Sequence, residues 1–282
     1  KDAPCKENIL HGKDVDITKL PVPTWTVGED PAPFFTSPYL ITKDPETGVR
    51  NVGTYRMEIK GPNKTGLLIG KRQDMAWHMY KNNAQNKPTP VAVVIGADPT
   101  IGYVSVSKMS DALDEFAVAG ALRGAPVDLV ACETVPLEVP ATAEIVLEGE
   151  IPPNASEHEG PFGEYTGYYS GNKGKDYPKP VLRIKRILHR NKPVMWATTV
   201  GKPINDIHMI QSLNRTATLW HDLETMRVPG IQSVYIPPEA CGRFWVVVSV
   251  KQMYPGHSNH VGNAVIASTT GHYGVKGVIT VD

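Results

Sequence analysis

Glu159-Gly160-Pro161-Phe162-Gly163-Glu164-Tyr165 sits between two apolar, strand-like runs. It places two carboxylates five residues apart on a segment that cannot be helical. Pro161 fixes its own φ and pushes Gly160 out of the helical region. Gly160 and Gly163 let backbone approach backbone, or a ligand, closely. The segment therefore reads as a rigid turn carrying two acids to a surface or a cleft. An ordinary solvated loop would show the same composition. A second segment, Asn51-Val52-Gly53-Thr54-Tyr55-Arg56, supplies an arginine and an amide, the natural partners of carboxylates. The function depends on whether the two segments meet.

Outward from that turn, Glu144–Glu150 and Val181–Leu188 read as the flanking strands, with Val194–Thr199 as a further one. Upstream, residues 1–38 look irregular and proline-punctuated, and residues 1–50 form an extended lead-in that wraps a body. Tyr39–Thr42 is a strand. Asn51–Lys60 and Leu67–Gly70 form a hairpin around Gly61-Pro62-Asn63-Lys64-Thr65-Gly66. Arg72–Asn82 is a helix, and Pro90–Ile95 a buried strand. Ser110 and Asp111 cap a helix that runs to Arg123, with Gly124 closing it. Val127–Ala131 is another strand. Downstream, Asp206–Met226 is the longest helical pattern. Ile231–Ile236 and Phe244–Val250 are strands, Asn259–Ser268 a helix and Gly277–Val281 a strand. Trp77 and Tyr80 are core candidates. The chain ends inside a strand pattern at Val281-Asp282, which gives the expectation of a piece of a longer chain.

The bounds agree with a mixed fold. The 282 residues are 41% hydrophobic and 21% charged, enough for one large or two medium domains. With 25 Gly and 25 Pro, short elements and turns outnumber long helices. The formal net charge is zero, so nothing draws the chain to nucleic acid or an anionic membrane. No apolar run approaches the ~20 residues needed to span a bilayer. No signal-peptide pattern opens the sequence, and the three widely spaced cysteines fit a reducing, cytoplasmic setting.

Arg56 with Glu159 and Glu164 is the first chemical constellation. An arginine between two carboxylates pushes their proton affinities apart, which suits delivery or removal of one proton. A structural ion-pair network has the same residues. Asn51, Asp74 and Glu115 form a second set of hard oxygen ligands for Mg²⁺ or Mn²⁺. His257 and His260 read as a helix start. No GxSxG, Walker A, GxGxxG or HExxH motif occurs.

Asn51-Val-Gly-Thr-Tyr-Arg56, Val139-Pro-Ala-Thr-Ala-Glu-Ile-Val-Leu-Glu-Gly149 and Glu159-Gly-Pro-Phe-Gly-Glu164 resemble the UbiD family of reversible decarboxylases. Tyr254-Pro-Gly-His257 and the terminal Val-Ile-Thr-Val-Asp282 fit too, so the resemblance runs from about residue 20 to the end. It implies an α+β fold: a β-rich, flavin-binding split barrel over 51–205 with flanking helices, and a C-terminal β-α-β portion starting at 206. It implies prenylated FMN, held through a divalent metal, Mn²⁺ or Mg²⁺, with K⁺ alongside. Residue by residue, it makes Arg56, Glu159 and Glu164 catalytic, with Glu164 the proton donor or acceptor. Asn51 and Glu115 become metal ligands. The residue after Gln73 is a metal-binding histidine in one branch of the family. Here it is Asp74, with His78 the alternative if the alignment slips. Gly53, Thr54, Tyr55, Arg56 and Gln73 would contact the cofactor. Ser105 and Ser107 would approach the flavin and the monovalent ion, and Lys276 the phosphate.

The expected activity is non-oxidative, reversible decarboxylation of an aromatic or α,β-unsaturated carboxylic acid, with CO₂ as the other partner. A flavin prenyltransferase would supply the cofactor, and the enzyme would be a homo-oligomer. The alternatives are a flavin-binding or assembly subunit of a multi-subunit carboxylase, and a flavin reductase. The second of these leaves the paired glutamates without a use.

Overall fold

The computed structural model describes residues 2–107, 109, 113–170 and 178–282. The chain packs into two compact units. The first comprises Lys1–Ser105, Asp111–Gly163 and Tyr169–Thr199; the second comprises Val106–Ser110, Glu164–Tyr168 and Val200–Asp282.

The first unit is built on β1 (Asn8–His11), β2 (Phe34–Phe35), β3 (Tyr39–Lys43), β4 (Arg50–Thr54), β5 (Met57–Gly61) and β6 (Lys64–Gly66). The sheet continues with β7 (Thr89–Ile95). The ribbon of β8 (Leu129–Ala131) and β9 (Glu138–Pro140) precedes β10 (Ile145–Ile151) and β11 (Ser156–Glu157). A second ribbon, β12 (Phe162–Gly163) with β13 (Tyr169–Ser170), precedes β14 (Lys179–His189). Among the described residues, ten strands form one curled, antiparallel sheet in the order β2-β5-β6-β14-β10-β7-β3-β4, with β1 and β11 also on β14. The order explains the composition. β7 and β10 are central, pair Ile95 with Ile145, and are buried nearly throughout, so residues 91–95 and 145–147 read as apolar runs, while Glu148 of β10 is buried and accepts from the N–H groups of Glu133 and Thr134. At the bulge between Glu148 and Gly149, β10 lies so close to β14 that a Cβ on Gly149 would sit 2.2 Å from the Arg183 carbonyl oxygen. Gly149→Ala is therefore expected to cost about 1–3 kcal/mol. The urea midpoint checks this, and a wild-type midpoint would show that the bulge relaxes.

Three helices flank this sheet: α1 (Asp74–Ala84), α2 (Pro99–Val104) and α3 (Glu115–Arg123). α3 begins later than expected. Asp114 caps it by accepting from the N–H groups of Phe116 and Ala117, while Ser110 and Asp111 lie outside the described residues. Gly124 closes it in the left-handed conformation at φ 75°, as its sequence position implies.

Five expectations are corrected in this unit. Val194–Thr199 is no strand: its β-branched residues find no ladder partner, and Thr198 instead exchanges hydrogen bonds with Thr36. The run Asn51–Lys60 breaks at Tyr55-Arg56 into β4 and β5, which pair with different strands. The return strand of that hairpin is Lys64–Gly66, not Leu67–Gly70. The lead-in is partly sheet, because Asn8–His11 pairs with β14, Asn8 opposite His189. Trp77 and Tyr80 are exposed on α1, not core.

The second unit contains α4 (Asp206–Thr225), β15 (Ile231–Tyr235), β16 (Trp245–Val250), α5 (His257–Ala267) and β17 (Gly277–Val281). Asn205 and His208 form a capping box that starts α4. β15 is antiparallel to β16, and β16 is parallel to β17 across the α5 crossover, the expected β-α-β portion. Leu219, Leu223, Val246, Val248 and Val261 make its core. His257 opens α5 and is buried, its Nε2 facing the Pro229 carbonyl at 2.9 Å. Among the described residues, no helix is long and apolar enough to cross a membrane.

Candidate functional site

The two segments singled out in the sequence do meet in the first unit. Arg56, just before β5, places Nε 3.2 Å from Glu159 Oε1 and Nη2 2.9 Å from Glu159 Oε2. This is the two-pronged geometry that makes arginine–carboxylate pairs strong and directional. The Glu159 side chain is fully buried and that of Arg56 is 9% exposed. The guanidinium carbon also lies 4.8 Å from the centre of the Phe162 ring, which packs on Phe34 with 4.5 Å between centroids. An apolar wall thus lowers the local dielectric around a charged pair, and electrostatic interactions strengthen there.

Glu164 belongs to the second unit. Its backbone N–H donates to the Tyr168 carbonyl at 2.8 Å, and its own carbonyl accepts from Gly167 at 2.9 Å. The turn is anchored by Tyr165, whose ring lies 6.1 Å from Phe244 and whose carbonyl faces His208 Nε2. Arg243 stacks on the rings of Tyr165 and Tyr273 and donates to Gln211. Arg215 is buried, donates to the carbonyls of Thr270 and Tyr273, and is pushed down to about 10 by burial and by Arg243. Sequence reasoning overlooked both arginines, which carry no motif. Ser107, in the same unit, accepts from Asn214 Nδ2. Lys276 is exposed, and its backbone N–H donates to the Phe244 carbonyl.

The second set depends on a neighbouring pair. Arg50 Nε and Nη2 donate to Asp114 at 3.0 and 2.8 Å, and its guanidinium lies over the Phe116 ring at 4.9 Å. Arg50 adjoins Asn51 and Asp114 adjoins Glu115, so this ion pair ties the start of α3 to β4 and fixes where both ligand candidates sit. Asn51 Nδ2 and Glu115 Oε2 are both buried without a hydrogen-bond partner. Burial pushes the Glu115 carboxyl up to about 7; the N–H groups of Glu115 and Val52 oppose the rise, while Asp114 and Asp74 add to it. Asp74 is exposed at the first turn of α1. His78 is buried, with Nδ1 already engaged by the Thr42 hydroxyl at 2.9 Å, and burial lowers its pKa. Among the described residues, no three His, Cys, Asp or Glu side chains form a metal cluster. The Asn51, Asp74 and Glu115 set has only two members of those types.

The remaining candidates line β4 and its surroundings. Tyr55 folds its ring back over Gly53, where an added Cβ would meet the ring at 2.5 Å. Its hydroxyl is buried near Asn51, Asp74 and Glu115, and burial raises its pKa. Thr54 Oγ1 meets Ser105 Oγ at 2.7 Å, and Ser105 Oγ donates to the Gly102 carbonyl at 2.8 Å. Gln73 occupies the N-cap position of α1 without a side-chain capping bond, its Oε1 accepting instead from the Gly70 N–H.

Residues 1–203 match the family model described as the 3-octaprenyl-4-hydroxybenzoate carboxy-lyase Rift-related domain. Residues 208–282 match that of the same carboxy-lyase's C-terminal domain. The chain belongs to the UbiD family. All of it superposes on 63% of an evolved dimeric form of the UbiD-class enzyme HmfF from Pelotomaculum thermopropionicum in complex with prFMN, at 34% identity and TM-score 0.91. It covers 59% of the vanillic acid decarboxylase of Sedimentibacter hydroxybenzoicus in closed form, again over its full length, at 32% identity and TM-score 0.90. For the 3,4-dihydroxybenzoic acid decarboxylase of Klebsiella pneumoniae, 94% of this chain covers 56% of that one, at 28% identity and TM-score 0.78. The chain thus spans about three-fifths of the length of these solved UbiD relatives.

Proposed function

We propose that this protein is a UbiD carboxy-lyase acting reversibly on an aromatic or α,β-unsaturated carboxylic acid, with prenylated FMN and a divalent metal. The observation that carries the reading is the buried, two-pronged Arg56–Glu159 pair under Phe162, formed by two of the motifs shared with the family. Solved relatives in complex with prFMN and FMN support the cofactor.

When bound, the modified flavin supplies the electron sink for the charge left on carbon as CO₂ departs. No side chain does this well, so the chain's own part is binding, orientation and one proton. Arg56 is the counter-charge of Glu159 and holds it beside the Phe34–Phe162 wall, which excludes water. Glu164, five residues on in the motif, is the proton donor to the carbon that loses CO₂, and the acceptor in the reverse direction. Gly53, Thr54, Tyr55, Gln73, Ser105 and Ser107 are the proposed cofactor contacts, with K⁺ alongside. A homo-oligomer and a flavin prenyltransferase that delivers the cofactor complete the reading.

The donor chemistry fits a divalent metal. Glu115 Oε2 is a buried carboxylate oxygen with no hydrogen-bond partner, a costly arrangement that a hard cation would relieve. The buried Asn51 amide would offer its Oδ1, since its unsatisfied Nδ2 is a donor that no cation satisfies. Asn51, Glu115 and Asp74 would hold Mn²⁺ or Mg²⁺. Glu115→Gln is expected to raise the Tm of the metal-free chain by about 2–4 °C, because a buried, half-satisfied carboxylate is removed. The same variant should lose the Tm gain that added Mn²⁺ gives the wild type. Equal Mn²⁺ stabilisation of both proteins would remove Glu115 from the metal site.

The test of the whole reading is co-expression with a flavin prenyltransferase. Absorbance and mass spectrometry identify the bound cofactor, and a panel of aromatic acids is then screened for CO₂ release. A preparation that binds no flavin and turns over no acid would overturn it.

A further inference from the structure

The strand that follows Arg56, β5, has a second feature. Along β5 the residues alternate: Met57 and Ile59 enter the core, while Arg56, Glu58 and Lys60 face the segment from Glu157 to Gly160. These three side chains present plus, minus and plus in a row. Each finds a complement. Arg56 takes the Glu159 carboxylate. Glu58 Oε2 accepts from the Gly160 N–H at 2.9 Å. Lys60 Nζ donates to the His158 carbonyl at 2.5 Å. Glu58 and Lys60 are also joined to each other at 3.1 Å, with side chains 8% and 12% exposed.

We infer that Glu58 and Lys60 are positioning residues for Glu159, a role that rests on the reading of Arg56 and Glu159 as reaction-centre residues. One buried ion pair grips the backbone on both sides of Glu159, at residue 158 through a carbonyl and at residue 160 through an N–H. The two peptide planes that flank the Glu159 Cα are thereby fixed. Gly66 closes the arrangement from below: a Cβ there would lie 2.9 Å from Lys60 Cε and 3.4 Å from Glu159 Cγ. A buried ion pair is a weak source of stability, since desolvation offsets its attraction. Its use here is geometric. Gly160 has a φ of 80°, a conformation open to glycine, so beyond the restriction from Pro161 the bend is held by these contacts. A misplacement of about 1 Å at a reacting group costs on the order of 10² in rate.

The test uses the full-length holoenzyme and the acid it turns over best. Glu58→Ala removes the acceptor for Gly160 and is expected to lower kcat by about 30–100-fold with KM changed less than about threefold. Glu58→Gln keeps an acceptor oxygen and should restore kcat to within about threefold of wild type. A second measurement is independent of turnover. In protein labelled with ¹⁵N-arginine, the Arg56 Nε–H resonance, assigned with Arg56→Lys, should move in Glu58→Ala and stay in Glu58→Gln. A loss of Tm with kcat and KM changing together, and no rescue by glutamine, would make the pair a plain structural staple and overturn the inference. So would a wild-type kcat and an unmoved resonance in Glu58→Ala. If Glu58→Ala does not fold, Lys60→Met carries the same test through His158; a wild-type kcat there overturns the inference, and a tenfold or larger drop supports it. Glu159→Gln separates the two levels. If it keeps full activity, the reading of the reaction centre fails. If it is inactive while Glu58→Ala is unaffected, only the positioning role fails.

Discussion

Arg56→Met is expected to lower kcat by about 10³-fold and to destabilise the protein by about 3–5 kcal/mol. Methionine fills much of the same volume and keeps an apolar contact with Phe162, so the change isolates the charge and the fork of donors. What is lost is the two-pronged contact at 3.2 and 2.9 Å to a carboxylate whose side chain is fully buried. Removing one partner of such a pair leaves a buried charge without its counter-charge, which costs far more than the pair contributes net. Steady-state kinetics with the holoenzyme and urea denaturation of the same preparation read the two effects separately. Arg56→Lys refines the result. It keeps a positive charge but loses the planar fork and the stacking on Phe162, and should recover stability more fully than rate. If Arg56→Met loses stability but keeps kcat, the Arg56–Glu159 pair is a structural ion pair and nothing more, the alternative that the sequence alone left open.

The parts of the fold that were legible in the sequence are those where a single short-range pattern suffices. β7 announces itself by the apolar run at residues 91–95, and β10 by the one at 145–147, since both faces of the sheet are covered there. α4 and the β16–α5–β17 crossover follow from period and spacing alone. The failures share a cause: they depend on partners distant in sequence. Val194–Thr199 has strand composition but no strand to pair with. The break at Tyr55-Arg56 arises because β4 continues the β3 ladder while β5 turns to β6. Arg50 and Asp114, 64 residues apart, set the start of α3, and neither belongs to a motif.

The site divides in the same way. The contact of Arg56 with Glu159 was legible because each lies in a compact block that pairs a charge with glycine. The Glu58–Lys60 pair was overlooked, although its signal was present. Arg56, Glu58 and Lys60 alternate with Met57 and Ile59, and a charge at every second position of an otherwise buried strand demands partners. Period-2 reading catches hydrophobic faces readily; the same reading of the opposite face would have caught this one.

Glu164→Gln is expected to abolish turnover, by about 10³-fold or more, while leaving the cofactor bound. The amide matches the carboxyl in shape, so the turn closed by Glu164 and Tyr168 and anchored through Tyr165 has no reason to move. What disappears is the capacity to exchange a proton. Loss of CO₂ leaves carbon in need of one, and an amide cannot provide it. Absorbance and mass of the purified variant test cofactor retention, and CO₂ release tests turnover. Exchange with deuterated solvent, in the decarboxylated product, at the carbon that had carried the carboxylate adds a third reading. Exchange should vanish with turnover if Glu164 moves the proton, and persist if Glu164 only shapes the turn. An assembly subunit without chemistry of its own would show neither exchange nor CO₂ release even in the wild type. Full activity in Glu164→Gln would leave Arg56 and Glu159 as the charged pair of the site and require another group to supply the proton.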